Sequence, residues 1–133
     1  MTTQHQHPSV KQATVKPVDG GWVSYVDPKL FPKARFGETK PFYAPESLAG
    51  LHGPDSGIIK LPPTIYWGPD RWFNLSHRTS LHQVYQMVLQ EGGVEEIGKY
   101  LDPEILASIW DELSLPPRLS SLWEHKVSGI KNA

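Results

Sequence analysis

The chain has 133 residues, of which 38% are hydrophobic and 20% are charged, and it contains 13 prolines, 11 glycines and no cysteine. Its length fits one domain of ordinary size, and the lack of cysteine excludes disulfides, thiol nucleophiles and cysteine-ligated metal sites. A formal net charge of −1 at pH 7 gives no overall field that would hold nucleic acid or an anionic membrane.

The sequence carries no pattern of a targeting or membrane-spanning segment. Its first residues lack the basic and apolar regions of a signal peptide, and no window approaches about 18 consecutive apolar residues. We therefore expect a cytoplasmic protein without a membrane partner.

The first 63 residues contain nine of the 13 prolines and six of the 11 glycines. Because proline fixes φ and lacks an N–H group, this spacing excludes helices of normal length. At most short strands are predicted, at residues 21–26 and 58–61. The aromatic content distinguishes the segment from an ordinary disordered tail. We predict that residues 1–63 form an extended Pro/Gly-rich arm, which packs either on the rest of the chain or on a partner.

A short β-hairpin is predicted where the arm ends. Residues 65–67 and 71–73 are rich in aromatic and β-branched side chains, and they flank Gly68-Pro69-Asp70, whose composition is typical of a turn. The hairpin would lead directly into the first helix.

Apolar residues at helical spacing predict four short helices after the hairpin. Ser76 or Ser80 is the predicted N-cap of the first helix, which ends at Gly92-Gly93. Asp102 is the predicted N-cap of the third helix, and Pro103 follows at the first helical position. The fold class is therefore predicted as mainly α, with residues 64–133 forming the hairpin and a small four-helix domain behind a long irregular N-terminal arm. The predicted inward residues are Leu81, Val84, Tyr85, Val88, Leu89, Val94, Ile97, Leu101, Ile105, Leu106, Ile109, Trp110, Leu113, Leu119, Leu122, Trp123 and Val127.

No arrangement of residues has the spacing of a known catalytic or metal-binding motif. His77 and His82 are five residues apart, whereas two ligands on one helix face would be four apart. The sequence contains no Gly-x-Ser-x-Gly motif and no Gly-rich phosphate-binding motif. We therefore predict no catalytic residue, no cofactor, no metal and no enzymatic activity.

One basic cluster is interleaved with aromatic residues and is a possible nucleic-acid contact. Basic groups contact phosphates and aromatic rings stack on unpaired bases. The alternative, favoured by the net charge, is that these side chains solubilise the arm and that nucleic acid is not a partner. The cluster consists of Lys29, Lys33, Arg35 and Lys40.

Aromatic side chains outside the predicted helices are the candidate anchors for a protein partner, because aromatic residues dominate interface energetics. Each has internal packing as its alternative role. The candidates are Trp22, Phe31, Phe36, Trp67 and Trp72.

The second half resembles a group of small actinobacterial proteins encoded beside nucleotidyltransferase-type toxins of abortive-infection systems. The resemblance covers about 60 residues and is carried by residues 65–75, by residues 84–92 (VYQMVLQEG), by Tyr100-Leu101-Asp102 and by residues 110–116 (WDELSLP). It implies an antitoxin-like or regulatory partner of another protein, and no catalytic residue carries over.

A non-enzymatic protein-binding module is the function that these observations favour, with a toxin-like protein as the implied partner. The alternative is a structural or accessory subunit of a phage particle or another large assembly. In that case the N-terminal arm would lie on neighbouring subunits, which would hold an otherwise mobile terminus in place, and the protein would be found in the virion.

Overall fold

The computed structural model describes residues 13–26 and 40–131. Within these ranges the chain forms five β-strands, four α-helices and two 3₁₀-helices. The strands are β1 (Ala13–Val18), β2 (Gly21–Val26), β3 (Phe42–Pro45), β4 (Ile58–Lys60) and β5 (Trp72–Asn74). The α-helices are α1 (Arg78–Glu91), α2 (Val94–Tyr100), α3 (Pro103–Ile109) and α4 (Pro117–Lys131), and the 3₁₀-helices are Leu48–Gly50 and Trp110–Glu112.

The mainly α fold class is wrong, because the strands form two separate sheets that are spread through the chain. One is an antiparallel three-stranded sheet in the order β1-β2-β3, and the other is an antiparallel pair of β4 with β5. The predicted irregular arm therefore contains four of the five strands of the described residues. The four predicted helices are confirmed.

Prolines are tolerated in the three-stranded sheet because of its register. Along an antiparallel ladder, hydrogen-bonded pairs alternate with pairs that exchange no hydrogen bond. The Glu46 N–H donates to the Gly20 carbonyl at 3.2 Å, so these two residues form a hydrogen-bonded pair. The next pair along, Pro45 opposite Gly21, is therefore one in which β2 and β3 exchange no hydrogen bond. Pro17 lies opposite Trp22, whose backbone groups face β3, so the nitrogen of Pro17 faces the outer edge of β1. Neither proline removes a bond from the ladder.

The predicted hairpin has the wrong partner strand. β5 pairs with β4 through Ile58–Asn74, Ile59–Phe73 and Lys60–Trp72, and not with residues 65–67. The N–H groups of Ile65 and Tyr66 both donate to the Pro62 carbonyl at 3.0 Å, which closes a turn there. A segment whose donors are used in a turn cannot form the ladder, so the connection between β4 and β5 spans residues 61–71.

The helix ends follow the sequence signals in most places. The Asp102 carboxylate accepts a hydrogen bond from the Ile105 N–H at 3.0 Å, which is the predicted N-cap of α3. The Gly92 N–H donates to the Val88 carbonyl and ends α1 as predicted. The N-cap of α1 is His77, so the prediction of Ser76 or Ser80 there is wrong.

A single buried cluster joins the helices to the strands and crosses the predicted boundary between residues 63 and 64. Trp123 of α4 is fully buried in it, and its Nε1 donates to the Tyr43 carbonyl of β3 at 3.2 Å. Trp110, also predicted in the core, is half-buried against the cluster. The buried members are Phe42, Ala44, Leu48, Leu51, Leu61, Ile65, Leu75, Val84, Tyr85, Val88, Leu89, Ile97, Leu101, Leu106, Ala107, Ile109, Leu119 and Trp123.

The segment before β4 completes the end of α2. The His52 N–H donates to the Gly98 carbonyl at 2.9 Å, and the Gly53 N–H donates to the Leu101 carbonyl at 2.8 Å. Gly98 lies in the last turn of α2 and Leu101 is its C-cap residue, so neither carbonyl has a partner inside the helix. A Cβ on Gly53 would lie 2.3 Å from the Tyr100 carbonyl carbon, so the close approach requires glycine.

Arg118 of α4 connects the helices to the three-stranded sheet. Its side chain is buried, its Nη1 donates to the Ser24 carbonyl at 2.7 Å, and its Nη2 donates to the Lys40 carbonyl. The guanidinium carbon lies 4.4 Å from the centre of the Phe42 ring. Burial lowers the pKa of Arg118 from its usual value, because the charged form loses hydration.

Candidate protein-binding surface

The β4–β5 pair, called the ribbon below, has one face on the core and one face on the surface. Ile59 and Phe73 lie directly opposite each other on the inner face, where both are half-buried against the core. On the outer face the exposed fractions are 64% for Ile58 and 59% for Trp72. Since side chains alternate along a strand, this register alone decides that Trp72 points outward.

Lys60 and Trp72 form a cross-strand pair on the outer face of the ribbon. The two residues are directly opposite, and the Lys60 Nζ lies 5.4 Å from the centre of the Trp72 ring. A cation over an indole face is attracted by about 0.5–1 kcal/mol at an exposed site. The pair orients the indole while most of its surface stays accessible.

The segment that connects β4 to β5 carries the most exposed large hydrophobic side chain of the described residues, Trp67, at 83% exposure. Its neighbour Tyr66 packs edge-on against Phe73, with ring centres 5.7 Å apart and an interplanar angle of 70°. A Cβ on Gly68 would lie 2.4 Å from the Tyr66 hydroxyl oxygen, so the phenol lies directly over the backbone of Gly68. Tyr66 is thereby held between Phe73 and Gly68.

Two concavities share Tyr66 as a common wall. One has a volume of about 490 Å³ and is lined by residues 64–68 together with Glu91. The other has a volume of about 300 Å³ and is lined by Tyr66 and Phe73 and by four side chains of α1, which are Gln83, Gln86, Met87 and Gln90. The two concavities together are called the glutamine groove below.

The α1 wall of the groove is polar but uncharged until its last residue. The Gln86 Oε1 accepts a hydrogen bond from the Ser114 N–H at 2.8 Å, which leaves its amide N–H groups as donors. Within residues 13–26 and 40–131, Gln83 and Gln90 have no hydrogen-bond partner. The carboxylate of Glu91 forms an ion pair with the Lys40 ammonium. The groove therefore offers amide groups and aromatic rings to a ligand, with its one carboxylate already paired.

The titratable side chains that line the groove are Tyr66 and Glu91. Across the described parts of the chain, no group of three or more histidine, aspartate or glutamate residues is placed to hold a metal ion. No helix among the described residues has both the length and the apolar character needed to cross a membrane.

The structure brings together two of the candidate anchors, Trp67 and Trp72, on the ribbon and its connecting segment. Trp22 lies on β2 in the other sheet and is 37% exposed. Of the basic cluster, Lys40 is described and pairs with Glu91. The other candidates lie outside the described residues, and these are Phe31, Phe36, Lys29, Lys33 and Arg35.

Sequence reasoning missed the contribution of α1 and of Ile58 to this surface. Gln83, Gln86 and Gln90 recur at intervals of three and four residues, which places them on one helix face. That spacing was visible in the sequence, but only the fold shows that aromatic side chains lie across from it. The sequence places Ile58 in a strand, but it does not show that the Ile58 side chain faces outward, because that depends on the pairing of β4 with β5.

Comparison of the chain with protein-family models, curated proteins and solved structures finds no match.

Proposed function

We propose that this protein is a non-enzymatic protein-binding module, an antitoxin-like or regulatory partner of another protein, and that the ribbon with its connecting segment contacts that partner. The observation that supports it is the distribution of exposed large hydrophobic side chains. Three of the five among the described residues are Ile58, Trp67 and Trp72, which lie within one stretch of 15 residues, and none of the five lies on a helix.

The exposed indole surface is large enough to matter for binding. At about 250 Å² for a tryptophan side chain, Trp67 and Trp72 together expose about 350 Å². A standard interface takes about 800 Å² from each partner. The two rings would thus supply nearly half of one side of an interface, and tryptophan is among the residues most enriched at energetic hot spots.

The antitoxin-like role rests on the resemblance of residues 65–123, and it implies a toxin-like protein as partner. The proposed compartment is the cytoplasm. No catalytic residue, cofactor or nucleic-acid contact is part of this proposal.

The test compares binding of the full chain with binding of a Trp67→Ala/Trp72→Ala variant. Proteins encoded by the neighbouring genes are purified and titrated against both by calorimetry. We expect one of them to bind the wild-type chain and to lose at least about 2 kcal/mol with the variant, because a hot-spot residue contributes that much. Val15→Ala, which shortens another exposed apolar side chain on β1, is the matched control and should leave the affinity unchanged.

Two results would contradict the proposal. One is a partner whose affinity is the same for the wild type and the double variant. The other is a double variant that has lost its helical circular dichroism, because the indoles would then belong to the fold and not to an interface.

The alternative proposal is a structural or accessory subunit of a phage particle or another large assembly, present in the virion. The segment assigned to neighbouring subunits in that case is the N-terminal arm, residues 1–63, of which residues 1–12 and 27–39 lie outside the described residues. The genes beside this one discriminate between the two roles. A nucleotidyltransferase-type toxin gene supports the first, and capsid or tail genes support the second.

A further inference from the structure

We propose that the glutamine groove binds an extended, uncharged, proline-containing segment of the partner protein. This inference rests on the proposed protein-binding function and assigns the chemistry of what is bound. Four properties of the groove support it: its wall chemistry, its unused hydrogen-bond donors, its length and its charge.

The wall chemistry of the groove is that of sites that bind proline-rich segments. Such sites use aromatic side chains that pack on pyrrolidine rings. Here Tyr66, Phe73 and Trp67 supply the rings, and Tyr66, which packs edge-on against Phe73, lines both concavities. Met87 lies among them, and a flexible thioether adapts readily to a ligand surface.

The opposite wall provides hydrogen-bond donors for peptide carbonyls. Gln83 and Gln90 have no partner within the described ranges, and Gln86 uses only its carbonyl oxygen, for Ser114. An extended polyproline II segment has no internal hydrogen bonds, so its carbonyls remain available as acceptors. Primary amides on α1 can therefore donate to the backbone of the ligand while the aromatic rings contact its side chains.

The length of the groove fits a short extended segment. From Gln83 to Glu91 the helix advances eight residues, which is about 12 Å at about 1.5 Å per residue. Polyproline II rises about 3.1 Å per residue and has three residues per turn, so about four residues span the groove and residues three apart face the same side. The two concavities on either side of Tyr66 would then accept two such side chains.

The charge of the groove selects an uncharged segment. Its carboxylate, on Glu91, is paired with Lys40, and the other lining side chains are neutral. An acidic or basic ligand would therefore lose hydration without gaining an unpaired counter-charge. Proline, alanine and leucine side chains have no such cost.

The test is an NMR titration of the full ¹⁵N-labelled chain with a decaproline peptide, and with a Gly-Ser decapeptide that lacks polyproline II structure as the control probe. We expect saturable shifts with decaproline of the side-chain NH₂ signals of Gln83 and Gln90 and of the Trp67 indole N–H. A Gln83→Leu/Gln90→Leu variant should bind at least tenfold more weakly. Ser121→Leu, which adds one apolar side chain at an exposed position of α4 away from the groove, should bind like the wild type.

Each other outcome would overturn the inference. Equal shifts with both peptides would mean that the groove does not distinguish a polyproline II segment from a flexible one. Decaproline shifts confined to Ile58 and Lys60 would place the binding site on the outer face of the ribbon. Shifts of the groove signals on dilution without peptide would show that a second copy of the chain occupies it. The protein-binding proposal is judged separately, because partner binding that depends on Trp67 and Trp72 would survive a failure to bind decaproline.

Discussion

Substitution of Arg118 tests most directly how the three-stranded sheet is attached to the helices. We consider Arg118→Met, which keeps the length of the apolar stem and removes the guanidinium. The substitution leaves the carbonyls of Ser24 and Lys40 without their charged donor and removes the cation from the Phe42 ring. The helices and their own caps are untouched, so a change in stability reports on the junction.

The magnitude follows from the contacts that are lost. A hydrogen bond to a charged group contributes about 1.5–3 kcal/mol, and two backbone carbonyls lose one each. Part of this loss is offset, because the variant no longer buries a charged guanidinium away from water. This cost of dehydration is also what lowers the pKa of Arg118. We expect a net loss of about 2–4 kcal/mol in the free energy of unfolding. Arg118→Lys should lose less, because one ammonium keeps the charge but cannot span both carbonyls.

Urea unfolding monitored by circular dichroism and tryptophan fluorescence measures this difference. At a slope of about 1–2 kcal/mol per molar urea, the midpoint of Arg118→Met should fall by roughly 1–4 M. Arg78→Met is the matched control, because Arg78 is an exposed arginine whose ion pair with Glu112 contributes at most about 1 kcal/mol. If Arg118→Met is no less stable than Arg78→Met, the sheet does not depend on this residue and the reasoning is wrong.

Two further predictions concern the packing of the helices. Tyr85 is fully buried and accepts a hydrogen bond from the Asp102 N–H at 2.9 Å, so Tyr85→Phe should cost about 1–3 kcal/mol at pH 7, measured by urea unfolding. Burial raises the pKa of Tyr85 from 10.0 to about 12, so only the unfolded chain releases this proton between those values. Wild-type stability should therefore fall as the pH rises from 10 to 12, by up to about 2–3 kcal/mol, and the part due to Tyr85 should be absent from Tyr85→Phe; equal losses in both would contradict this assignment. Gly53→Ala should lower the melting temperature by several degrees because its Cβ would overlap the Tyr100 backbone, whereas Gly50→Ala, with its nearest contact at 3.5 Å, should not.

The parts of the fold that the sequence predicts are those fixed by local chemistry. Asp102-Pro103 marks the start of α3 because a cap and a helix-compatible proline act within one turn. Gly92 ends α1 for a similarly local reason. Helical periodicity also predicts correctly that Trp123 is buried.

The sheets could not be predicted in the same way, because strand pairing is set by residues distant in sequence. Whether Pro45 excludes a strand depends on which side of the ladder its nitrogen faces, and only the pairing with Gly21 decides that. The ribbon shows the same limit. The sequence predicts a strand within one residue of β5. Its predicted partner, residues 65–67, instead follows the turn at Pro62, and β5 pairs with β4.

The sequence identifies the exposed tryptophans of the candidate surface, but it does not indicate the shape of the groove beside them. Trp67 and Trp72 were expected to be anchors, and both are exposed. Their relation to the glutamines of α1 depends on the packing of Tyr66 against Phe73, a contact that no periodicity in the sequence indicates.

The contacts of Arg118 also have a consequence for the order in which the chain becomes structured during synthesis. Its partners Lys40 and Ser24 are 78 and 94 residues earlier in the chain. At about 5–20 residues per second, a ribosome needs roughly 4–16 s after making Lys40 to reach Arg118. The part of the three-stranded sheet that α4 contacts therefore stays uncovered until α4 has left the ribosome. Nascent chains halted before α4 should be the ones that chaperones hold and proteases cut.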